Sequence, residues 1–205
     1  MDLQQKTTEQ TDDVLTNKRV IKGSRRLIRE KVLQVLTAYF VSGTSIDVLI
    51  EHIFYRHFVD EENQNDDKNS SLQISDIRLL SQEELTNLNL DFTIHWREED
   101  INFGTSIIFA IINDYNDFVD YIKEASEHWQ FDRIMLVDRT VIMIAAAEFA
   151  FAPDVPVKVS INEALELAKA YSTEKSPLFV NGMLEKIKTI LEGKNMINKS
   201  ARGLK

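Results

Sequence analysis

The sequence predicts an all-α protein, a compact bundle of about seven helices interrupted by an acidic insertion. Three observations carry that expectation. Of 205 residues only 6 are Gly and 3 are Pro, too few turn residues for a many-stranded all-β fold. At 43% hydrophobic and 28% charged, the chain has enough apolar side chains to bury a sizeable core. Apolar positions also recur at i, i+3 and i+4 over long stretches, and no segment reads clearly as a strand or a repeat.

Residues 1–23 lack periodic apolar positions and read as a disordered arm that turns basic near its end. Ser24 is placed to cap a first helix, in which Ile28, Val32, Val35, Leu36, Tyr39 and Phe40 form the apolar stripe and Ser42-Gly43 the stop. A second helix is expected from Ser45 to about Phe58, with Ile46, Leu49, Ile50, Ile53 and Phe54 inward. The pattern then breaks, and residues 59–102 read as an acidic insertion, polar and low in complexity at its start. From Phe103 the helical period returns through Ile107, Ile108, Ile111, Ile112, Tyr115, Phe118, Val119 and Ile122. Asp132–Ala152 is apolar nearly all round, the pattern of a helix enclosed by neighbours, and Pro153 and Pro156 end it. Ser160 and Glu163 have the spacing of a capping box for the next helix, through Ile161, Ala164, Leu165, Ala168 and Tyr171. Ser176 caps a last helix with Pro177 at its first turn, and Gly193 stops it before a basic tail at 193–205.

The net charge of -9 resolves by position. Residues 59–102 hold twelve acids against three bases, a surplus equal to the whole net charge, so the remainder is neutral. Within that remainder Lys18, Arg19, Lys22, Arg25, Arg26, Arg29 and Lys31 face a single acid, Glu30. An acidic protein of this kind still carries a local anion-binding footprint. The absence of Cys excludes a disulfide framework and Cys-ligated metal. The start of the chain has no apolar signal region, and Val141–Ala152 is too short to span a bilayer, so a cytoplasmic protein without membrane association is expected.

Catalysis has little support in the residues. There is no Gly-rich phosphate loop, HExxH or G-x-S-x-G motif, and the four histidines His52, His57, His95 and His128 are scattered. No enzyme activity, cofactor or metal is expected. The basic cluster is more informative, because three arginines in a first helical turn oppose the helix dipole, which points to an external anion. Arg25, Arg26 and Arg29 fall within about a 100° arc and are expected to project together. Arginine suits bidentate contacts to phosphate or base edges.

SRRLIREKVLQVL resembles the arginine-rich first helix of the NusB transcription antitermination factors. The long stretch from FDRIMLVDRTVIMIAAAEFAFA through DVPVKVSINEALELAKAY to KSPLFVNGMLEKI is similar to that family's C-terminal half without gaps. The resemblance implies two small helical subdomains packed together over residues 24–192. It implies binding of boxA, a short single-stranded element of ribosomal RNA leader, together with NusE, a small ribosomal subunit protein, and indirectly with other Nus factors and RNA polymerase. By position it assigns RNA contact to Arg25, Arg26 and Arg29, and to Tyr171, Thr173, Glu174, Lys175, Ser176 and Phe179, and it places Asp138 at the NusE interface. Cations beside aromatic faces suit single-stranded RNA. Spacing alone places Phe179 and Tyr171 on apolar faces, where core packing is the simpler role, and gives Asp138 the alternative of capping the following helix. Asn181-Gly182 within a helix implies close packing there.

Four departures from the family pattern stand out. Thr37 replaces a Tyr, Met143 stands at a position often basic, Lys175 stands where some relatives carry an acid, and the acidic insertion is additional. The Thr37 departure and the acidic insertion keep open a protein-interaction scaffold that has lost RNA binding. The related domain of ribosomal RNA cytosine methyltransferases is a further alternative, though no Cys is present as nucleophile.

Overall fold

The computed structural model describes residues 19–55, 92–126 and 130–200. Residues 1–18 of the expected arm, 59–91 of the insertion, the end of the second helix with His57, His128, and residues 201–205 of the tail lie outside the described residues.

Seven α-helices are present among the described residues. Helix α1 spans Arg25–Ser42; Ser24 accepts a bond from the Leu27 amide as its N-cap, and Gly43 ends it in the left-handed region at φ 67. That conformation strains residues with a side chain, so the stop is set by the glycine. Helix α2, Ile46–Ile50, runs on into one π-helical turn, Glu51–Tyr55. Helix α3 is Glu98–Asn113 and α4 is Tyr115–Ala125, so the run expected as one helix from Phe103 is divided at Asp114. After a short 3-10 turn, Phe131–Arg133, come α5 (Leu136–Phe151), α6 (Val157–Tyr171) and α7 (Ser176–Gly193).

Two boundaries differ from expectation for electrostatic reasons. Helix α3 begins at Glu98, so Glu98, Glu99 and Asp100 belong to its first turn rather than to the insertion. Acids are favoured there by the helix dipole. Helix α6 begins at Val157, so Ser160 is already helical, and its hydroxyl bonds Glu148 at 2.7 Å instead of forming a capping box. A further difference is a parallel pair of four-residue strands, β1 (Arg19–Lys22) with β2 (Phe92–His95), in the register Arg19 opposite Phe92 through Lys22 opposite His95. Val20, Ile21, Thr93 and Ile94 supply the β-branched character.

The described residues divide into two compact units. One holds the described residues of 1–23 and 58–97, with the strand pair; the other holds the described residues of 24–57 and 98–205, with the seven described helices. In the helical unit α5 is central, in contact with α1, α3, α4, α6 and α7. Val141 to Ala147 and Phe149 are all buried, as the all-round apolar pattern requires. Gly104 lets α3 close on α1, since a Cβ there would stand 2.8 Å from Ile28 Cγ1 and 3.1 Å from the Phe54 ring. A Cβ at Gly182 would meet nothing from outside its own helix turn within 4 Å, so the close packing expected at Asn181-Gly182 is not what that glycine serves. The chain after α7 folds back: Lys199 donates to the Glu148 and Ala152 carbonyls at 2.8 and 2.9 Å, a cation at the C-terminus of α5. Among the described residues no helix is long and apolar enough to cross a membrane.

Candidate nucleic-acid interface

The three arginines of α1 do not project together. Arg29 is 4% exposed, and its Nε and Nη2 donate to the two oxygens of Glu148 at 2.6 and 2.8 Å. Glu148 is itself 1% exposed on α5. Burial works against the charge of Arg29, but the bond and charge of Glu148, with Glu163 beyond it, outweigh burial and hold the guanidinium above its ordinary range. Arg25 reaches Asp100, an acid with no exposure, at 3.2 Å and lies over the Phe103 ring at 4.2 Å. Arg26 is the most open at 54% and pairs with Glu166 at 3.2 Å and Glu163 at 3.7 Å, both on α6. The helix dipole therefore does not by itself call for an external anion here, because carboxylates of the fold face all three arginines.

These pairs build one edge of the helical unit. Tyr171, at the end of α6 and 44% exposed, donates its hydroxyl to Glu30 at 3.2 Å. Burial, then the charge of Glu30 and the bond to it, push the Tyr171 hydroxyl above its ordinary value of 10.0. Arg26 and Glu30 lie one turn apart on α1, and Glu163, Glu166 and Tyr171 follow in the same order on α6. The arginine-rich helix start and the end of α6 thus lie side by side.

The α6–α7 turn is shaped from within. Asp138, in the first turn of α5, is 5% exposed and accepts from Ser172 at 2.6 Å and Ser176 at 3.0 Å. Its carboxylate faces inward and caps nothing, because the N-cap position belongs to Met135. Ser176 is buried and accepts from the Thr173 amide at 3.3 Å, so it fixes the turn and does not lie on the surface. It is the first residue of α7, with Lys175 in the cap position. Thr173, Glu174 and Lys175 are exposed, and Phe179 is half-buried. Leu178 beside it is 82% exposed.

A second feature lies where α1, α4 and α5 meet. Phe40, Tyr115, Phe131, Leu136, Arg139, Thr140 and Met143 line a cavity of about 180 Å³. The Arg139 guanidinium lies 4.6 Å from the Phe131 ring centroid, and its buried Nε has no hydrogen-bond partner among the described residues. The buried Thr37 hydroxyl is likewise without a partner among them. Among the described residues no group of three or more His, Asp or Glu is placed to hold a metal ion.

The model of the NusB family matches residues 26–189. The chain belongs to the NusB family. It is 32% identical over 181 residues to the transcription antitermination protein NusB of Chloroherpeton thalassium, covering 88% of this chain and 69% of that protein. The NusB of Bacillus subtilis is 30% identical over 168 residues, 82% of this chain and 97% of that protein. A solved structure of T. maritima NusB superposes with a TM-score of 0.58 at 26% identity, covering 82% of this chain and 93% of that one. The chain is thus a member of a transcription antitermination family with the all-helical NusB fold.

Sequence reasoning did not single out Glu30, Glu148, Glu163 and Glu166 as the residues that make this edge. One of them carries a signal: Glu148 is the lone acid in the apolar run TVIMIAAAEFAFA, and an acid so placed needs a buried cation. Arg139 carries none.

Proposed function

We propose that this NusB-family chain binds boxA-type single-stranded leader RNA together with a NusE-type ribosomal protein, and acts in antitermination by binding rather than by catalysis. One observation supports the RNA site above the others: the Arg26–Glu166 and Tyr171–Glu30 contacts bring the arginine-rich start of α1 beside the aromatic end of α6. Arg25 and Arg26 supply cations to phosphates. Tyr171 and Phe179 supply ring faces for unstacked bases, and the exposed turn Thr173, Glu174 and Lys175 lies between them. Arg29 and Ser176 hold the site's shape from inside, as their burial requires. The NusE-type protein is assigned to the cavity beside Arg139, adjacent in sequence to Asp138, where the buried guanidinium Nε has no acceptor among the described residues. Other Nus factors and RNA polymerase are reached through that partner.

The test is a salt titration of RNA binding. Changing Arg25 and Arg26 together to Ala is expected to weaken boxA-type RNA and to flatten the salt slope by roughly one for each phosphate no longer neutralised. Unchanged affinity and slope would overturn the site. Arg139→Ala is expected to reduce recovery of the NusE-type protein while leaving RNA affinity of the isolated chain intact.

A further inference from the structure

Resting on the RNA reading above, we propose that Glu163 and Glu166 of α6 act as a built-in counter-anion for Arg26 that the RNA backbone must displace, so that these two carboxylates set the affinity threshold of the site. The three arginines of α1 differ in how exchangeable their partners are. Arg29 and Glu148 are 4% and 1% exposed and joined by two short bonds, so no external anion replaces that carboxylate. Arg25 is held by Asp100, which has no exposure and cannot swing away, and by stacking on Phe103. Only at Arg26 are cation and acid both open, at 54% for the arginine and 46% for Glu166, with Glu163 at 24%. Ion pairs that open are weakly held and screened by salt.

The exchange is chemically like for like. A guanidinium fork accepts carboxylate or phosphate in the same two-point geometry. Glu166 does not become an orphan when it lets go, because Lys169 donates to its other oxygen at 2.6 Å. Lys169, ahead of Arg26, is what draws the Glu166 carboxyl below its ordinary 4.5. Tyr171 repeats the device, with its hydroxyl held by Glu30. A small anion gains little by displacing these acids. A strand that engages Arg25, Arg26 and Tyr171 together gains enough to do so.

The experiment is a double-mutant cycle on the full chain, read by fluorescence anisotropy with a labelled boxA-type RNA. Glu163→Gln with Glu166→Gln is expected to tighten binding by roughly 2- to 10-fold at low salt, the gain shrinking as salt rises. In an Arg26→Ala background the same two changes are expected to give no such gain. Binding by the unaltered chain with no gain in the variant overturns the counter-anion alone. A gain that persists without Arg26 also overturns it, since general repulsion would then be the cause. If neither protein binds the RNA, this proposal falls together with the function on which it rests. By NMR, the Arg26 Nε–H signal is expected to shift on adding RNA while that of Arg29 stays in place; a static Arg26 signal in the bound protein overturns the exchange.

Discussion

Two ion pairs on α1 make the same bond for different purposes. Arg29 with Glu148 and Arg26 with Glu166 are both guanidinium–carboxylate contacts, and the arginines lie three residues apart, about 60° apart round the helix. Arg29 lies next in sequence to Ile28, which is 0% exposed, and one turn before Leu33; Arg26 faces solvent. A buried pair is expensive to assemble and ruinous to break by halves, whereas an open pair contributes almost nothing to stability. The difference teaches that a basic helix start is not one feature. One arginine closes the core, and its neighbour is left for an external anion.

The largest effect that sharpens this comparison is at Glu148. Glu148→Ala leaves the Arg29 guanidinium buried without its carboxylate and removes the acceptor of Ser160, so it is expected to cost about 3–5 kcal/mol in urea denaturation. Adding Arg29→Ala to that variant should cost much less than Arg29→Ala alone, because the charge left unpaired is then gone. Glu166→Ala, at a surface pair, should cost far less than Glu148→Ala. Equal costs for the two glutamates would break the comparison.

Next in size is Gly104→Ala. The added methyl meets Ile28 and Phe54, both buried, so α1 and α3 must part slightly where the arginine-bearing turn is seated. Overpacking of this kind is expected to cost about 1–3 kcal/mol. A stability change within error would mean that α1 tolerates the shift, and that the seat of Arg29 is less rigid than its bonds imply.

A similar or smaller loss is expected at Asp138, the inner support of the opposite end of the edge. Asp138→Ala deprives Ser172 and Ser176 of their acceptor and is expected to cost about 1–2 kcal/mol in the same measurement. Because those two serines flank the turn carrying Thr173, Glu174 and Lys175, its amide exchange should quicken more than that of α1. Faster exchange in α1 instead would move the role of Asp138 elsewhere.

How much of the molecule is legible in its sequence follows from the range of each interaction. Ser24 and Gly43 bound α1 as expected because capping is local, settled within a few residues. The apolar stripes mark the helices for the same reason. The Ser160–Glu163 spacing misleads because a serine followed by a glutamate three residues on also arises inside a helix, and here Ser160 answers to Glu148 across a turn of chain. Glu98, Glu99 and Asp100 look like part of an acidic stretch, although their grouping is itself a helix-start signal. The fate of Arg29 is beyond reach, since its partner lies 119 residues away. Family resemblance correctly indicates the fold, but it does not tell which arginine of a motif is buried.

The smallest effect expected concerns pH and the outer pair alone. The bond and charge of Lys169, then the charge of Arg26, hold the Glu166 carboxyl below its ordinary 4.5. A carboxylate lowered by folding contributes stability above its ordinary value and loses it as pH falls through the folded value. Glu166 stands on the surface, so this change should be invisible in a melting curve and visible only in its own titration, followed by carboxyl carbon NMR. Lys169→Met should return the midpoint most of the way to 4.5, and Arg26→Ala should move it less. That order matters to the comparison: Glu166 can release Arg26 to a phosphate because its larger support stays in place. A midpoint governed mainly by Arg26 would make the outer pair a fixed structural contact, and the contrast with Arg29 would then be one of depth rather than of purpose.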